Sequence, residues 1–391
     1  MAEGKLIKPD LEFVKRVMDS GGESLKKCYQ CATCSVVCNM TPDDRPFPRK
    51  EMINAQWGLK DKLFANPDIW LCHQCSDCTA YCPRGAKPGE VLGAVRKLSI
   101  ENYALIGPLA KAVGSPAGLL FLLAIPVILF GLLIPFLGHQ IPSEYLGKHL
   151  RVPQYLTEVI TSNEPIVYAD TLMPVPFIDA VFGAAAFFAL IGFFAGVMRY
   201  WKDLSANGPQ EPTMSLTGAI MAVVTEFLAH KKFQQCEVTK DRTKSHLFVF
   251  YGFAGLAVTT TWAIVYLYAL DIPSPYKMTD PMKLLGNISA VSLLLGIFWV
   301  VWNRNANAEK AGKGSYYDWL FISIIAALVV SGILSELLRL ANIPVLAYPV
   351  YFIHLVVIFF LFAYAPYSKM AHMVYRTTAL VYAKYTGRDL N

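Results

Sequence analysis

Charge is scarce in this chain. Of its 391 residues only 16% are Asp, Glu, Lys or Arg, while 54% are hydrophobic. Soluble domains carry about 25% charged residues, so a purely soluble protein is excluded. The net charge of +6 is modest, and its basic residues gather in particular loops, which suits membrane orientation and gives no reason to expect nucleic acid. An apolar leader is also missing. Met1 to Asp10 is polar and charged, so neither a secretory signal nor disulfides are expected. No G-x-G-x-x-G follows a strand pattern, so a flavin would have to sit on another chain. Alternating strand patterns are few, and no low-complexity tract or fixed-period repeat is present apart from a duplicated cysteine run.

That run is the strongest signal. Eight of the nine cysteines lie in two sets of identical spacing: Cys28, Cys31, Cys34, Cys38 and Cys72, Cys75, Cys78, Cys82, the second followed by Pro83. C-x2-C-x2-C-x3-C is the spacing of [4Fe–4S] ferredoxins, in which the fourth cysteine serves the other cluster. The expected sets are therefore Cys28, Cys31, Cys34 with Cys82, and Cys72, Cys75, Cys78 with Cys38. Asn39 follows Cys38 where proline is usual, which leaves the ligands intact. Four thiolates also suit zinc, but zinc ribbons use separated C-x2-C pairs rather than a triplet plus one. His73, between two of these cysteines, is expected to tune a cluster, and Cys236 to be a plain thiol.

The chain divides near residue 110. Residues 1–110 read as an all-α ferredoxin-like domain with two [4Fe–4S] clusters, and 111–391 as a transmembrane domain. Six apolar stretches follow, about Ala117–Leu137, Val175–Met198, Leu247–Leu270, Leu284–Trp302, Trp319–Leu338 and Val345–Ala365, each near the ~20 residues that cross a bilayer core. Met214 to Phe233 is also apolar and reads as an interfacial helix beside a basic loop. Basic residues crowd the second and fourth loops and follow the last helix. The positive-inside rule then places both termini and the cysteine domain in the cytoplasm.

Ionisable residues within membrane helices are costly and are functional candidates. His354 lies inside the last apolar stretch and His372 just past it. In one continuous helix, 18 residues are five turns, which puts both on one face about 27 Å apart, a spacing that suits two stacked haems. His246, at the cytoplasmic start of the third stretch, is the expected partner of His372. For His354 the candidates are His139, His149 and His230, with His149 preferred. Glu226, Lys369 and Glu336 are candidates for proton transfer to a quinone, against plain anchoring at membrane edges.

The segment from His354 to His372, with Pro366-Tyr367-Ser368-Lys369 before the second histidine, resembles the last helix of the cytochrome b (gamma) subunit of respiratory nitrate reductase and the membrane subunit of heterodisulfide reductase. In those families each histidine of this helix binds a haem b, with partners ten residues apart on one earlier helix. Here His246 stands at the first partner position and Leu256 at the second. The N-terminal 105 residues resemble the small Fe–S subunit of heterodisulfide reductase, in both cysteine runs and in Trp70-Leu71-Cys72. The fusion is similar to the C subunits of the quinone-interacting membrane-bound oxidoreductases of sulfate reducers.

That resemblance implies one or two b haems and menaquinone as substrate. It also implies two cytoplasmic flavin and Fe–S partner subunits, with adenylylsulfate reductase as the final electron acceptor of a sulfate-respiring inner membrane. Two other readings stay open. One is the membrane subunit of a heterodisulfide- or sulfite-reductase-type complex. The other is a haem-free membrane anchor for the Fe–S module.

Overall fold

The structure is a computed structural model. It describes residues 8–42, 45–140, 165–168, 172, 175–208, 212–229, 237–238 and 242–388, with backbone alone at 134–140 and 176. Among these residues there is no β-strand.

The N-terminal unit comprises α1 (Leu11–Val17), α2 (Thr33–Val36), α3 (Arg49–Gln56), α4 (Lys60–Phe64), α5 (Asp68–Leu71), α6 (Asp77–Ala80) and α7 (Pro88–Tyr103). Asp10 caps α1, its Oδ1 accepting from Phe13 N at 2.9 Å. Proline opens α7 at its first position, where a missing N–H costs nothing. Val91, Leu92, Val95 and Leu98 then repeat at helical spacing and are buried. Around α7 pack α1, α3, α4, α5 and α6, with Val17, Met52, Leu63, Ile69 and Trp70 completing the core.

After α8 (Gly107–Val113) comes the membrane domain: α9 (Pro116–Gln140), α10 (Val175–Asn207), α11 (Leu216–Ala229), α12 (Arg242–Ala269), α13 (Pro281–Ala306), α14 (Ala308–Ala311), α15 (Tyr316–Leu340), α16 (Pro344–Ala363) and α17 (Ala371–Tyr385). Six of these, α9, α10, α12, α13, α15 and α16, are long and apolar enough to cross a bilayer, and the chain is a multi-pass membrane protein. The described part of α11 is 14 residues long, below the ~20 that cross a bilayer core. It lies on α17 and buries Ala219 and Val223. The expected interfacial stretch, Met214 to Phe233, continues into residues 230–233, which fall outside the described residues. Helices α12 and α13 approach closely at Gly252, where a Cβ would meet Leu293 N at 2.7 Å and Ser289 O at 2.9 Å. Small residues at a membrane-helix interface permit that approach.

Two boundaries differ from the hydropathy reading. Helix α10 continues past Met198 to Asn207, because leaving the apolar stretch does not end the helix. Tyr200 and Leu204 are fully buried, and Arg199 Nη1 donates to Ala104 O at 2.8 Å. The last apolar helix ends at Ala363. Pro366 lacks an N–H and its ring crowds the turn before it, so a short 3-10 turn (Ala365–Tyr367) intervenes before α17 begins at Ala371.

Helix α17 is not a tail. It lies between the bundle and the N-terminal unit. Tyr382 OH donates to Leu204 O at 2.9 Å, and Tyr375 stacks on Trp70 at 5.5 Å between ring centroids. Just past its end, Arg388 reaches fully buried Asp68 with both Nε (3.0 Å to Oδ1) and Nη2 (2.7 Å to Oδ2). Lys50 Nζ also donates to Asp68 Oδ2 at 2.6 Å. Removing one partner of a buried ion pair leaves a stranded charge. Arg388→Ala is expected to cost about 3 kcal/mol, the low end for such pairs because Lys50 remains. Guanidinium-chloride unfolding in detergent, followed by Trp fluorescence, measures it.

Glu51 sits in the same cluster with no exposed surface. Burial, and then the neighbouring Asp68 carboxylate, push its pKa up to about 7, against the pull of Lys50. The folded state thus holds a proton on Glu51 at a pH where the unfolded chain has lost it, so stability falls as pH rises from the ordinary carboxylate range through about 7. Glu51→Gln is expected to remove that part of the decline. Thermal unfolding midpoints between pH 5.5 and 8 (values about one unit apart suffice) check the slope.

Candidate metal and cofactor sites

The two cysteine runs fold alike. In each, the residue before the second cysteine (Gln30, Gln74) and the residue after it (Ala32, Ser76) are left-handed, with φ between 52° and 70°. None of the four is glycine, and side chains seldom adopt this conformation without a local demand. Each run then enters a four-residue helix, α2 or α6. The first three cysteines of each run line one small cavity.

The fourth cysteine of each run lines the cavity of the other run. Cys28, Cys31, Cys34 and Cys82 line one small cavity. Cys72, Cys75, Cys78 and Cys38 line a second. Donors point at the sulfurs: Gln74 N to Cys72 Sγ at 3.3 Å, Ala86 N to Cys82 Sγ at 3.3 Å, and Gln30 Nε2 to Cys28 Sγ at 3.4 Å. Burial pushes the Cys34 thiol up to about 11 and the Cys78 thiol well above its ordinary value. Such groups become thiolates only beside a strong positive charge, which bound iron supplies.

The quartets differ in setting. Around the first, Cys31 is exposed, as are Tyr29 and Val36, and Arg84 lies over the Tyr29 ring at 4.1 Å. The second faces the membrane domain. Ser76 Oγ donates to Ala311 O, and Asp77 accepts from Val238 N at 2.9 Å.

Beside the second quartet opens a cavity of about 470 Å³, and Cys72 and His73 belong to its wall. Both His246, on α12, and His372, on α17, line it. Its floor is apolar, with Val249, Phe250, Phe253, Ile297, Phe321, Ile322 and Ile325. Arg242, Arg304, Lys369 and Arg376 also line it, together with the carboxylates Glu90, Glu226 and Asp318. Asn303 Nδ2 and Arg304 Nη1 are buried there without a hydrogen-bond partner among the described residues. A largely apolar group with acidic substituents would find apolar contacts and cationic partners in this lining. Burial, with Arg96 and Arg376 near, holds His372 well below its ordinary pKa, in the neutral form that binds metal. The His372 ring lies 5.3 Å from that of Trp70, two residues before Cys72.

His354 is placed elsewhere. The break at Pro366 ends the helical phase that one continuous helix would have carried between His354 and His372. In α16, the His354 ring lies against Gly332 of α15, where a Cβ would stand 2.9 Å from Cε1. Its Nδ1 is 2.9 Å from Ser331 Oγ, which is also 2.6 Å from Ala327 O. His149 and His230 lie outside the described residues, as does Cys236, and the His139 side chain is likewise undescribed.

The three proton-transfer candidates are all ion-paired: Glu226 with Lys384 at 3.4 Å, Glu336 with Lys283, and Lys369 with Asp318. Glu226 and Lys369 also line the large cavity. Sequence reasoning passed over Arg96 and read Arg242 and Arg376 only as orientation charges. The available signal was spacing: Arg242 precedes His246 by four residues, and Arg376 follows His372 by four.

Comparison with known proteins gives two family matches. Residues 24–86 match the 4Fe–4S dicluster domain, and residues 150–389 match the family described as citrate utilization protein B. The C subunit of the H2:CoB–CoM heterodisulfide, ferredoxin reductase of Methanothermobacter marburgensis is 36% identical over 109 residues, 27% of this chain and 57% of the relative. The E subunit of the dihydromethanophenazine:CoB–CoM heterodisulfide reductase of Methanosarcina thermophila is 25% identical over 148 residues, 35% of this chain and 56% of the relative. The chain thus spans little more than half the length of these heterodisulfide reductase relatives. Citrate utilization protein B of Escherichia coli is 25% identical over 96% of this chain and 92% of its own. No solved structure matches at a significant level. An iron–sulfur unit resembling the C subunit of heterodisulfide reductase is fused to a membrane part, and the chain belongs to the citrate utilization protein B family.

Proposed function

We propose that this chain is the membrane electron-transfer subunit of a quinone-linked oxidoreductase. One haem b is held between His246 and His372, and two [4Fe–4S] clusters are held by the crossed quartets. The observation that carries the reading is a shared wall: the cavity between the two histidines is also lined by Cys72 of the second quartet. When bound, a haem accepts and passes electrons singly, which links a two-electron quinol to one-electron clusters.

The chain's own residues then have definite tasks. His246 and His372 present imidazoles from two helices. Arg304 and Asn303 offer donors to acidic substituents. Trp70 fills the space beside His372 and keeps water out of the gap towards Cys72. Ion pairing of Lys369 with Asp318 lets a charge stay at the cavity edge. At the far side of the N-terminal unit, exposed Cys31, Tyr29 and Arg84 form the face at which a partner's one-electron carrier would meet the first cluster.

The membrane orientation follows from charge. At the end of the bundle that carries the Fe–S unit lie Arg199, Lys202, Arg242, Lys244, Arg304, Lys310, Lys313, Lys369, Arg376 and Lys384. Among the described residues, Lys277, Lys283 and Arg339 lie at the other end. The Fe–S unit is therefore cytoplasmic. Menaquinol as donor, two flavin and Fe–S partner subunits, and adenylylsulfate reductase beyond them complete the reading for a sulfate-respiring membrane.

A second reading is favoured by the near full-length likeness to the E. coli protein. In it the partner belongs to citrate utilization, and electrons enter at the exposed first quartet and leave to the quinone. A reduced-minus-oxidised spectrum of the purified chain, with haem counted per polypeptide and a menaquinol analogue as reductant, tests the common core. Haem b reduced by the quinol is expected. Two haems per chain would add a site at His354. No haem in an iron-loaded preparation would leave an Fe–S module on a passive anchor. Reduction of added quinone by the chemically reduced chain, compared with the reverse rate, separates the two directions.

A further inference from the structure

The peptide segment that carries the second quartet is held by three arginines. Arg376 Nη1 donates to Cys72 O at 3.0 Å. Arg242 Nη1 donates to Gln74 O at 2.6 Å. Arg96 donates to Ile69 O at 2.9 Å and to Gln74 Oε1 at 3.1 Å. Two of these come from the membrane domain, on the same helices as the cavity histidines. Arg242 is four residues before His246 on α12, and Arg376 is four residues after His372 on α17. Residues four apart share a helix face one turn from each other. Each helix therefore presents an imidazole to the cavity and, one turn away, a guanidinium to the cluster loop.

We propose that Arg242 and Arg376 set the reduction potential of the cluster held by Cys72, Cys75, Cys78 and Cys38, raising it. The inference rests on the electron-transfer reading above. Reduction adds one electron, with no bond made or broken and no proton required, so the cluster gains one negative charge. A fixed guanidinium bound to the ligand's own peptide stabilises that product more than the oxidised form. Opposing charge is present: Asp77, buried beside Cys78, favours the oxidised form. At the first quartet, Arg49 Nε holds Gln30 O at 3.0 Å, but in an exposed setting where solvent screens it. The higher potential makes the membrane-facing cluster the favoured acceptor for electrons arriving from the cavity, and it is built by the helices that form that cavity.

The test is an EPR-monitored redox titration of the full purified chain, with the second-quartet signal identified by its loss in Cys75→Ala. Glutamine keeps a donor and removes the charge. Arg376→Gln and Arg242→Gln are each expected to shift the reduction equilibrium of that cluster about tenfold towards the oxidised form, which is 59 mV lower for one electron. The first cluster should hold its potential, and Arg376→Lys should recover most of the shift. Unchanged potentials in both glutamine variants, with iron content intact, overturn the proposal. If one variant loses iron, the other and the lysine variant still report the potential. Absence of cluster signals from the wild-type chain would instead overturn the electron-transfer reading itself.

Discussion

Replacement of His372 by alanine is expected to strip the chain of haem b while leaving both iron–sulfur clusters in place. The imidazole lines the cavity, and burial keeps it neutral and ready to coordinate. Loss of a residue that merely orients a metal ligand already costs about 10- to 100-fold in metal affinity, so loss of the ligand should exceed that range. The fold should persist. Helix α17 stays anchored by Tyr375 against Trp70, by Tyr382 on Leu204 O and by Arg388 on Asp68. Haem absorbance per polypeptide should therefore collapse, non-haem iron should stay at the wild-type level, and quinol should no longer reduce the clusters. His246→Ala should behave in the same way, because the two imidazoles act as a pair. His354→Ala should leave the cavity haem untouched, since that ring lies against Ser331 and Gly332 of α15. Equal haem loss in all three variants would contradict a site confined to His246 and His372.

Much of this architecture was legible in the sequence, because the membrane and the cluster are each demanding. Long apolar stretches read directly as spans, and ferredoxin spacing reads directly as a fold of the cysteine loops. What could not be read was how the two units meet. Arg388 and Asp68 are 320 residues apart, and nothing local in either segment marks the other as its partner. By sequence the basic residues after the last span are only orientation charges, whereas α17 is a buried strut whose Tyr375 and Tyr382 pack inward. Helical phase misleads here for a visible reason. Pro366 stands in the sequence, and a count of eighteen residues through it assumes a ladder of hydrogen bonds that the proline interrupts. His246 and His372 line one cavity through tertiary packing, not through a shared helical register. Arg242 and Arg376 are visible as residues four from a histidine, but only the fold reveals that their targets are backbone carbonyls of the second cysteine run.

Crossing of the fourth cysteines makes a prediction that an uncrossed arrangement would reverse. Cys38→Ala should destroy the cluster of the second run, although Cys38 belongs to the first, because it lines the cavity with Cys72, Cys75 and Cys78. Cys82→Ala should destroy the cluster of the first run, because it stands with Cys28, Cys31 and Cys34. In either variant, non-haem iron should fall from about eight to about four per chain, since each cubane holds four. Iron counts alone do not tell the variants apart, but their position in the wire does. The second quartet shares a wall with the histidine cavity, and the first opens to solvent through Cys31. In Cys82→Ala the surviving cluster is the one beside the haem, so quinol should still reduce it, while transfer to an external one-electron acceptor should fail. In Cys38→Ala the surviving cluster is the outer one. Quinol should then reduce the haem and stop there, while a soluble reductant should still reach the cluster from outside. If the pattern came out the other way round, each run would be serving its own cluster, and the order of the two centres between membrane and partner would have to be redrawn.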